Sequence, residues 1–190
     1  MMADVQLPVT PVWPRRTPRL TLRPFAPSDL EALYVIQSDP DAVRFVPYSP
    51  RDRATVALVL DHKITHTTLG EIGDLIELAV TLAEDGTLIG DVLLALRSVE
   101  HQTLEVGYIF APAYGGQGYA TEAVRELLNL AFGPLGASRV VARVDDRNLA
   151  SRVLVERLGF RMEHIIENQW FKNELSSEVN YAVLAREWQG

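Results

Sequence analysis

The 190-residue chain contains no cysteine. Disulfides, thiolate metal sites and a covalent cysteine intermediate are thereby excluded. No run approaches the ~20 consecutive apolar residues that a membrane span requires. Residues 1–18 hold four prolines and the pair Arg15-Arg16, yet lack the apolar stretch of a secretory signal. They read as an extended N-terminal arm, and the expected location is cytoplasmic, with no membrane partner. Positive charge is also in short supply, since 18 Lys and Arg face 25 Asp and Glu for a formal net charge of -7. Such a balance lacks the basic footprint of a nucleic-acid binder. It mildly favours the approach of a basic or amine substrate.

What is present reads as a single domain over residues 19–190, without internal repeats, low-complexity tracts or a linker. With 47% hydrophobic side chains it is long enough to bury a sizeable core. The segment Arg19-Leu20-Thr21-Leu22-Arg23 alternates polar and apolar residues and predicts a strand. Pro24 to Pro27 ends it, and Ser28-Asp29 supplies N-cap chemistry for a helix to about Ser38. A second helix is expected from about Arg51 to Thr68, with Val56, Val59, Leu60 and Ile64 inward. His62 and His66 on it have i, i+4 spacing, which is half of a metal site. No further ligand lies in a recognisable pattern nearby, so they read as a solvated face and no metal is expected.

Three strands follow, Leu75 to Ala83, Leu88 to Arg97 and Thr103 to Phe110, the first two joined by a turn containing Asp85-Gly86. Ala120, Val124, Leu127, Leu128 and Ala131 share one face of a helix that stops near Gly133-Pro134. Val140, Val141 and Val144 mark a strand. Asn148 opens a helix with Val153, Leu154 and Leu158 inward and Gly159 as its C-terminal cap. Phe160 to Ile166 and Glu178 to Ala185 supply the last two strands. The order β-α-α-β-β-β-α-β-α-β-β predicts an α/β (α+β) domain. Its mixed sheet has about seven strands, an antiparallel run followed by β-α-β units that favour parallel pairing, with helices on both faces.

Between the third of these central strands and the next helix lies Tyr114-Gly115-Gly116-Gln117-Gly118-Tyr119-Ala120. Strand, glycine-rich turn and helix N-terminus together make an anion site, because several N–H groups point one way and the helix dipole favours negative charge. No Lys-Ser/Thr follows the glycines and the GxGxxG spacing is absent, so neither the Walker nor the Rossmann pattern applies. A turn whose glycines only permit tight packing fits the same spacing.

Four segments in order resemble the GNAT superfamily of N-acetyltransferases, and within it the Rim-type branch that acetylates N-terminal amines of ribosomal proteins. They are Arg19-Leu20-Thr21-Leu22-Arg23-Pro24 with Asp29; Glu105-Val106-Gly107-Tyr108-Ile109-Phe110 running into Gly116-Gln117-Gly118-Tyr119-Ala120-Thr121-Glu122-Ala123; Asn148-Leu149-Ala150-Ser151-Arg152-Val153-Leu154 with Leu158-Gly159-Phe160; and Tyr181-Ala182-Val183-Leu184 with Glu187-Trp188. The superfamily's cofactor turn is Gln/Arg-x-x-Gly-x-Gly/Ala. Gly118 and Ala120 fill its last two fixed places, while Gly115 stands where Gln or Arg is common. The resemblance implies acetyl-CoA as co-substrate, its diphosphate held by main-chain N–H groups from Gly116 to Thr121. It also implies direct acyl transfer to a small-molecule or peptide amine, in a monomer or homodimer.

That chemistry needs a neutral amine, support for the developing oxyanion and a proton for the departing thiolate. Glu105 shares a strand face with Gly107 and Ile109. The resemblance makes it a candidate general base, and a salt-bridged strand glutamate is the other reading. Asn148 is an N-cap by sequence, and the resemblance adds a contact to the pantetheine arm. Ser151 stands where the departing sulfur would be protonated or hydrogen-bonded, with Tyr108, Tyr114 and Tyr119 as alternative donors. The backbone around Ile109 and Phe110 is expected to splay and hold the thioester carbonyl. Arg44, Phe45, Tyr48, Trp170 and Phe171 are candidates for the acceptor side, and core or edge packing is their alternative role. Two other functions stay open: an acyl-CoA-binding or sensing domain without turnover, and a transferase using a longer or acidic acyl-CoA.

Overall fold

The computed structural model describes residues 7–190. Alternating and β-branched runs form eight strands: β1 (Arg15–Arg16), β2 (Leu20–Pro24), β3 (Leu75–Leu82), β4 (Leu88–Ser98), β5 (Thr103–Phe110), β6 (Arg139–Asp145), β7 (Arg161–Phe171) and β8 (Glu174–Leu184). Four helices accompany them: α1 (Leu30–Ser38), α2 (Arg53–Thr65), α3 (Tyr119–Phe132) and α4 (Leu149–Arg157). The strands form one sheet in the order β1-β2-β3-β4-β5-β6-β8-β7. The two-residue β1, which pairs with β2, brings the count to eight. The described part of the arm lies along the domain, with Val9 bridged to Leu69 and Trp13 packed on the core.

Period-2 alternation divides the core between the two sheet faces. Leu78 and Val80 of β3 join the cluster under α3, where Val124, Leu127 and Leu128 are fully buried. Ala79, between them, joins Leu33 and Ile36 of α1 and Val56 and Leu60 of α2 on the other face. Among the described residues no helix is long and apolar enough to cross a membrane.

The structure corrects several local expectations. Asp29 does not cap a long helix; its carboxylate takes two Arg23 hydrogen bonds at 2.7 Å and the Ala26 N–H at 2.8 Å, inside a 3-10 turn that precedes α1. On α4 the buried stripe is Leu154, Val155 and Leu158, while Val153 is 51% exposed. The strands β6 and β7 are not a parallel pair. β8 inserts between them, antiparallel to both; a tight turn with Lys172 and Asn173 at φ 50° and 64° folds it back along β7, and its other edge pairs with β6. Both tail strands also run further than expected, since the polar stretch Glu167-Asn168-Gln169 hides the alternation of β7.

His62 is exposed on α2 as expected, but His66, just past the end of the helix, is not part of a simple solvated face. His66 Nδ1 lies 2.5 Å from Glu77 Oε2 on β3, and Lys63, one turn earlier, is buried between Glu77 and Asp91, its Nζ 2.7 Å from Asp91 Oδ2. Burial opposes the charge on Lys63, but the two carboxylates outweigh it and its pKa rises above the usual lysine value. Burial likewise opposes the charge on Glu77, yet Lys63 and His66 hold its pKa below the usual value. At fully buried Asp91 burial prevails over Lys63 and pushes the carboxyl up.

Replacing Lys63 with Met leaves two buried carboxylates without their ammonium. The expected loss is about 3–5 kcal/mol near pH 7. Both carboxyls then bind protons more tightly folded than unfolded, so stability recovers as pH falls toward about 5. Urea denaturation at the two pH values measures this, and a loss independent of pH would contradict it.

Candidate active site

The site is built around a seam that opens. β5 and β6 run parallel but pair only at Thr103 with Arg139, Leu104 with Val140 and Glu105 with Val141. Beyond that rung β5 stays paired to β4 as far as Phe110, and β6 to β8 as far as Asp145. The facing backbone edges from Val106 and Ala142 onward therefore have no ladder partner in each other. Ile109 and Phe110, the expected holders of a carbonyl, lie on this open stretch.

At the end of β5 the chain makes a 3-10 turn, Pro112–Tyr114, and Gly115 N–H closes it on Pro112 O at 2.9 Å. Gly116 and Gly118 then take left-handed φ of 74° and 80°, which aim the following peptides and start α3 at Tyr119. Glu122 N–H is the first of the helix to find a backbone acceptor, Gly118 O at 3.0 Å. The six N–H groups from Gly116 to Thr121 have no acceptor among the described residues. Donors clustered at a helix N-terminus are an anion site in physical terms.

An acidic side chain in that first turn would compete for the donors, and the arm removes it. Glu122 Oε1 accepts from Thr17 Oγ1 at 2.6 Å and Arg19 N at 2.9 Å, and Oε2 from Arg19 Nε at 2.7 Å. Burial opposes the Glu122 charge, but these donors outweigh it and lower its pKa. Arg19 also donates to Gln117 O at 3.0 Å and lies over the Tyr119 ring at 4.5 Å. Nothing in the spacing of Arg19 signals a role at a turn about a hundred residues away.

Across the seam, Asn148 Oδ1 accepts the Ser151 N–H at 3.1 Å and so caps α4. Ser151 Oγ in turn lies 2.6 Å from Tyr108 Oη. Two of the candidate proton donors, one on β5 and one on α4, are thus a single hydrogen-bonded pair bridging the opening. Burial pushes the Tyr108 hydroxyl up to about 12, against a smaller downward pull from Ser151. Tyr114 and Tyr119 pack against the core near the turn instead. Glu105 sits at the last closed rung with both oxygens engaged, Oε2 to Arg97 Nε at 2.8 Å and Oε1 to Arg143 Nη2 at 2.9 Å. It ties β4, β5 and β6 together.

A cavity of about 240 Å³ lies between the loop after α1 and the β7–β8 turn. Arg44, Phe45, Phe171, Arg147, Lys172 and Glu174 contribute to its wall. Tyr48 and Trp170 do not line it. Tyr48 is half-buried under Arg51, whose guanidinium stands 3.7 Å from the ring, and burial pushes its hydroxyl up to about 12. Trp170 is 74% exposed on β7. No sequence signal marks Arg147 and Lys172, because lysines and arginines in polar turns look like solvated surface.

Comparison with known proteins fits this geometry. The family described as Acetyltransferase (GNAT) domain matches residues 19–161. Over 175 residues the chain is 30% identical to Uncharacterized N-acetyltransferase YnaD of Bacillus subtilis (strain 168), covering 90% of this chain and 97% of that protein. It is 32% identical over 121 residues to "Putative ribosomal N-acetyltransferase YdaF" of the same organism, covering 63% of this chain and 66% of that one. The crystal structure of a GNAT-family acetyltransferase from Bacillus anthracis superposes with a TM-score of 0.82 at 26% identity, covering 92% of this chain and 100% of that one. The chain belongs to the GNAT acetyltransferase family and is an acyltransferase. The family draws its acyl group from acetyl-CoA.

Gly118 tests the turn. An added Cβ meets nothing closer than Arg19 Nη2 at 3.5 Å, so Gly118→Ala is opposed by the left-handed backbone rather than by crowding. The expected stability loss is about 1–2 kcal/mol, with weaker acetyl-CoA binding. Denaturation and calorimetry check the two effects separately.

Proposed function

We propose that this protein transfers an acetyl group from acetyl-CoA to a primary amine, either a protein N-terminus or a small molecule, by direct attack in a ternary complex. The observation that carries the reading is the alignment of six unpartnered N–H groups, Gly116 to Thr121, with the open end of the β5–β6 seam. A diphosphate fits those donors, and Asn148, in addition to capping α4, lies where the pantetheine arm would enter the opening. The backbone N–H groups around Ile109 and Phe110 would receive the thioester carbonyl. Because Gly115 stands where the family commonly has glutamine or arginine, binding depends on main-chain donors. A cytoplasmic location belongs to the same reading.

Each proton has a candidate carrier. Tyr108, hydrogen-bonded to Ser151, is the source for the departing thiolate, since a phenol is closer in acidity to a thiol than a serine hydroxyl is. Glu105 takes the amine proton through water, its two arginines fixing the carboxylate at the mouth of the seam. The cavity at Arg44, Phe45 and Phe171 receives the acceptor.

Thermal stabilisation by acetyl-CoA and amine-dependent release of CoA test the whole reading. Binding without release across a broad amine panel would favour a sensing domain instead. Tyr108→Phe should lower kcat by about 10²-fold with acetyl-CoA affinity nearly unchanged. Glu105→Gln should lower kcat/KM by a similar factor of about 10². Retained turnover with lost stability would instead leave Glu105 only the tie across β4, β5 and β6.

A further inference from the structure

The charge on the cavity wall is opposite in sign to the charge on the chain. Against a net charge of -7, the wall carries Arg44, Arg147 and Lys172 with a single carboxylate, Glu174. These cations are not equivalent. Arg147 is consumed locally: Nε and Nη2 bond Asp145 at 2.9 and 2.8 Å, and Nη1 bonds Glu174 at 2.5 Å. Lys172 reaches across from the β7–β8 turn and donates to Val43 O at 2.5 Å, with Arg44 O at 3.4 Å. Its partners are carbonyls, so its charge is solvated without being cancelled, and burial alone lowers its pKa from the ordinary lysine value. Arg44 stands over the Phe45 ring at 5.1 Å, and its guanidinium has no hydrogen-bond acceptor among the described residues.

Two uncancelled cations therefore share this wall with Phe45 and Phe171, and Arg147 lies beside Asn148 at the mouth of the opened seam. A polyamine entering here would meet like charge at both ends. An acceptor with an anionic group would be held by Arg44 and Lys172 while its amine faced the seam. We infer that the acceptor is a primary amine that also bears a carboxylate, an amino acid or short peptide with an apolar or aromatic side chain, with Arg44 as the specificity-determining residue. The inference rests on reading this cavity as the acceptor side.

The test uses the full chain saturated with CoA and compares phenylalanine, phenylalanine amide and spermidine by calorimetry, then by turnover with acetyl-CoA. The carboxylate should be preferred over the amide by about two- to fivefold, the range of an exposed ion pair, with spermidine weakest. Arg44→Glu, a change in an exposed loop residue, should reverse the order. Equal binding of acid and amide, a preference for spermidine, an unaltered order in Arg44→Glu or no binding of phenylalanine would each overturn the inference. Carboxylate-selective binding without turnover of any amine would sustain the pocket's chemistry and defeat the transferase reading, so the two failures are distinguishable.

Discussion

A parallel strand pair that closes over three rungs and then parts is the constraint on which the rest of this molecule depends. Where β5 and β6 separate after Glu105 and Val141, two backbone edges inside the sheet lose their partners. Unpaired main-chain groups in a sheet interior are costly unless something else meets them. The surrounding structure is arranged to tolerate that opening: β4 and β8 hold the outer edges of the two strands, α3 starts beyond one lip, and α4 starts beyond the other. Tyr108 and Ser151 then span the gap with one hydrogen bond instead of a ladder.

Charge is distributed so that the opening stays available to an anion. In the first turn of α3 the one acid, Glu122, is turned toward the arm and neutralised by Arg19. Beneath the other face, Lys63 compensates the buried Glu77 and Asp91, which would otherwise place like charges side by side in the core. At the rim, Arg97 and Arg143 share Glu105. In each case a local cation decides what a carboxylate can do, and the overall negative charge of the chain predicts none of these arrangements. The cavity beside Arg44 shows the same independence of local field from net charge.

Much of the fold is legible in the residues because its causes are local. The Asp85-Gly86 turn, the period-2 runs of β3 to β5 and the apolar stripe of α3 each follow from neighbours in sequence. The features that make Gly116 to Thr121 and Asn148 candidates are local too: main-chain N–H groups left free at the start of α3, and a side-chain cap on α4. The cavity beside Arg44 is not. Tyr48 and Trp170 are aromatic residues near its loops, yet one is packed under Arg51 and the other faces solvent, while Arg147 and Lys172 enter the wall from turns with no periodic signal.

By itself the sequence determined the elements, the order of the segments and the turn whose glycines permit left-handed φ, because these depend on residues a few positions apart. Only the tertiary structure decided that β8 lies between β6 and β7, that Tyr108 meets Ser151, that Arg19 lies against Gln117, and which cations share a cavity with Phe45 and Phe171. Those relations join residues that are far apart in the chain. They arise from sheet register, from the tight turn at Lys172-Asn173 and from the burial of charge, and no local pattern encodes them.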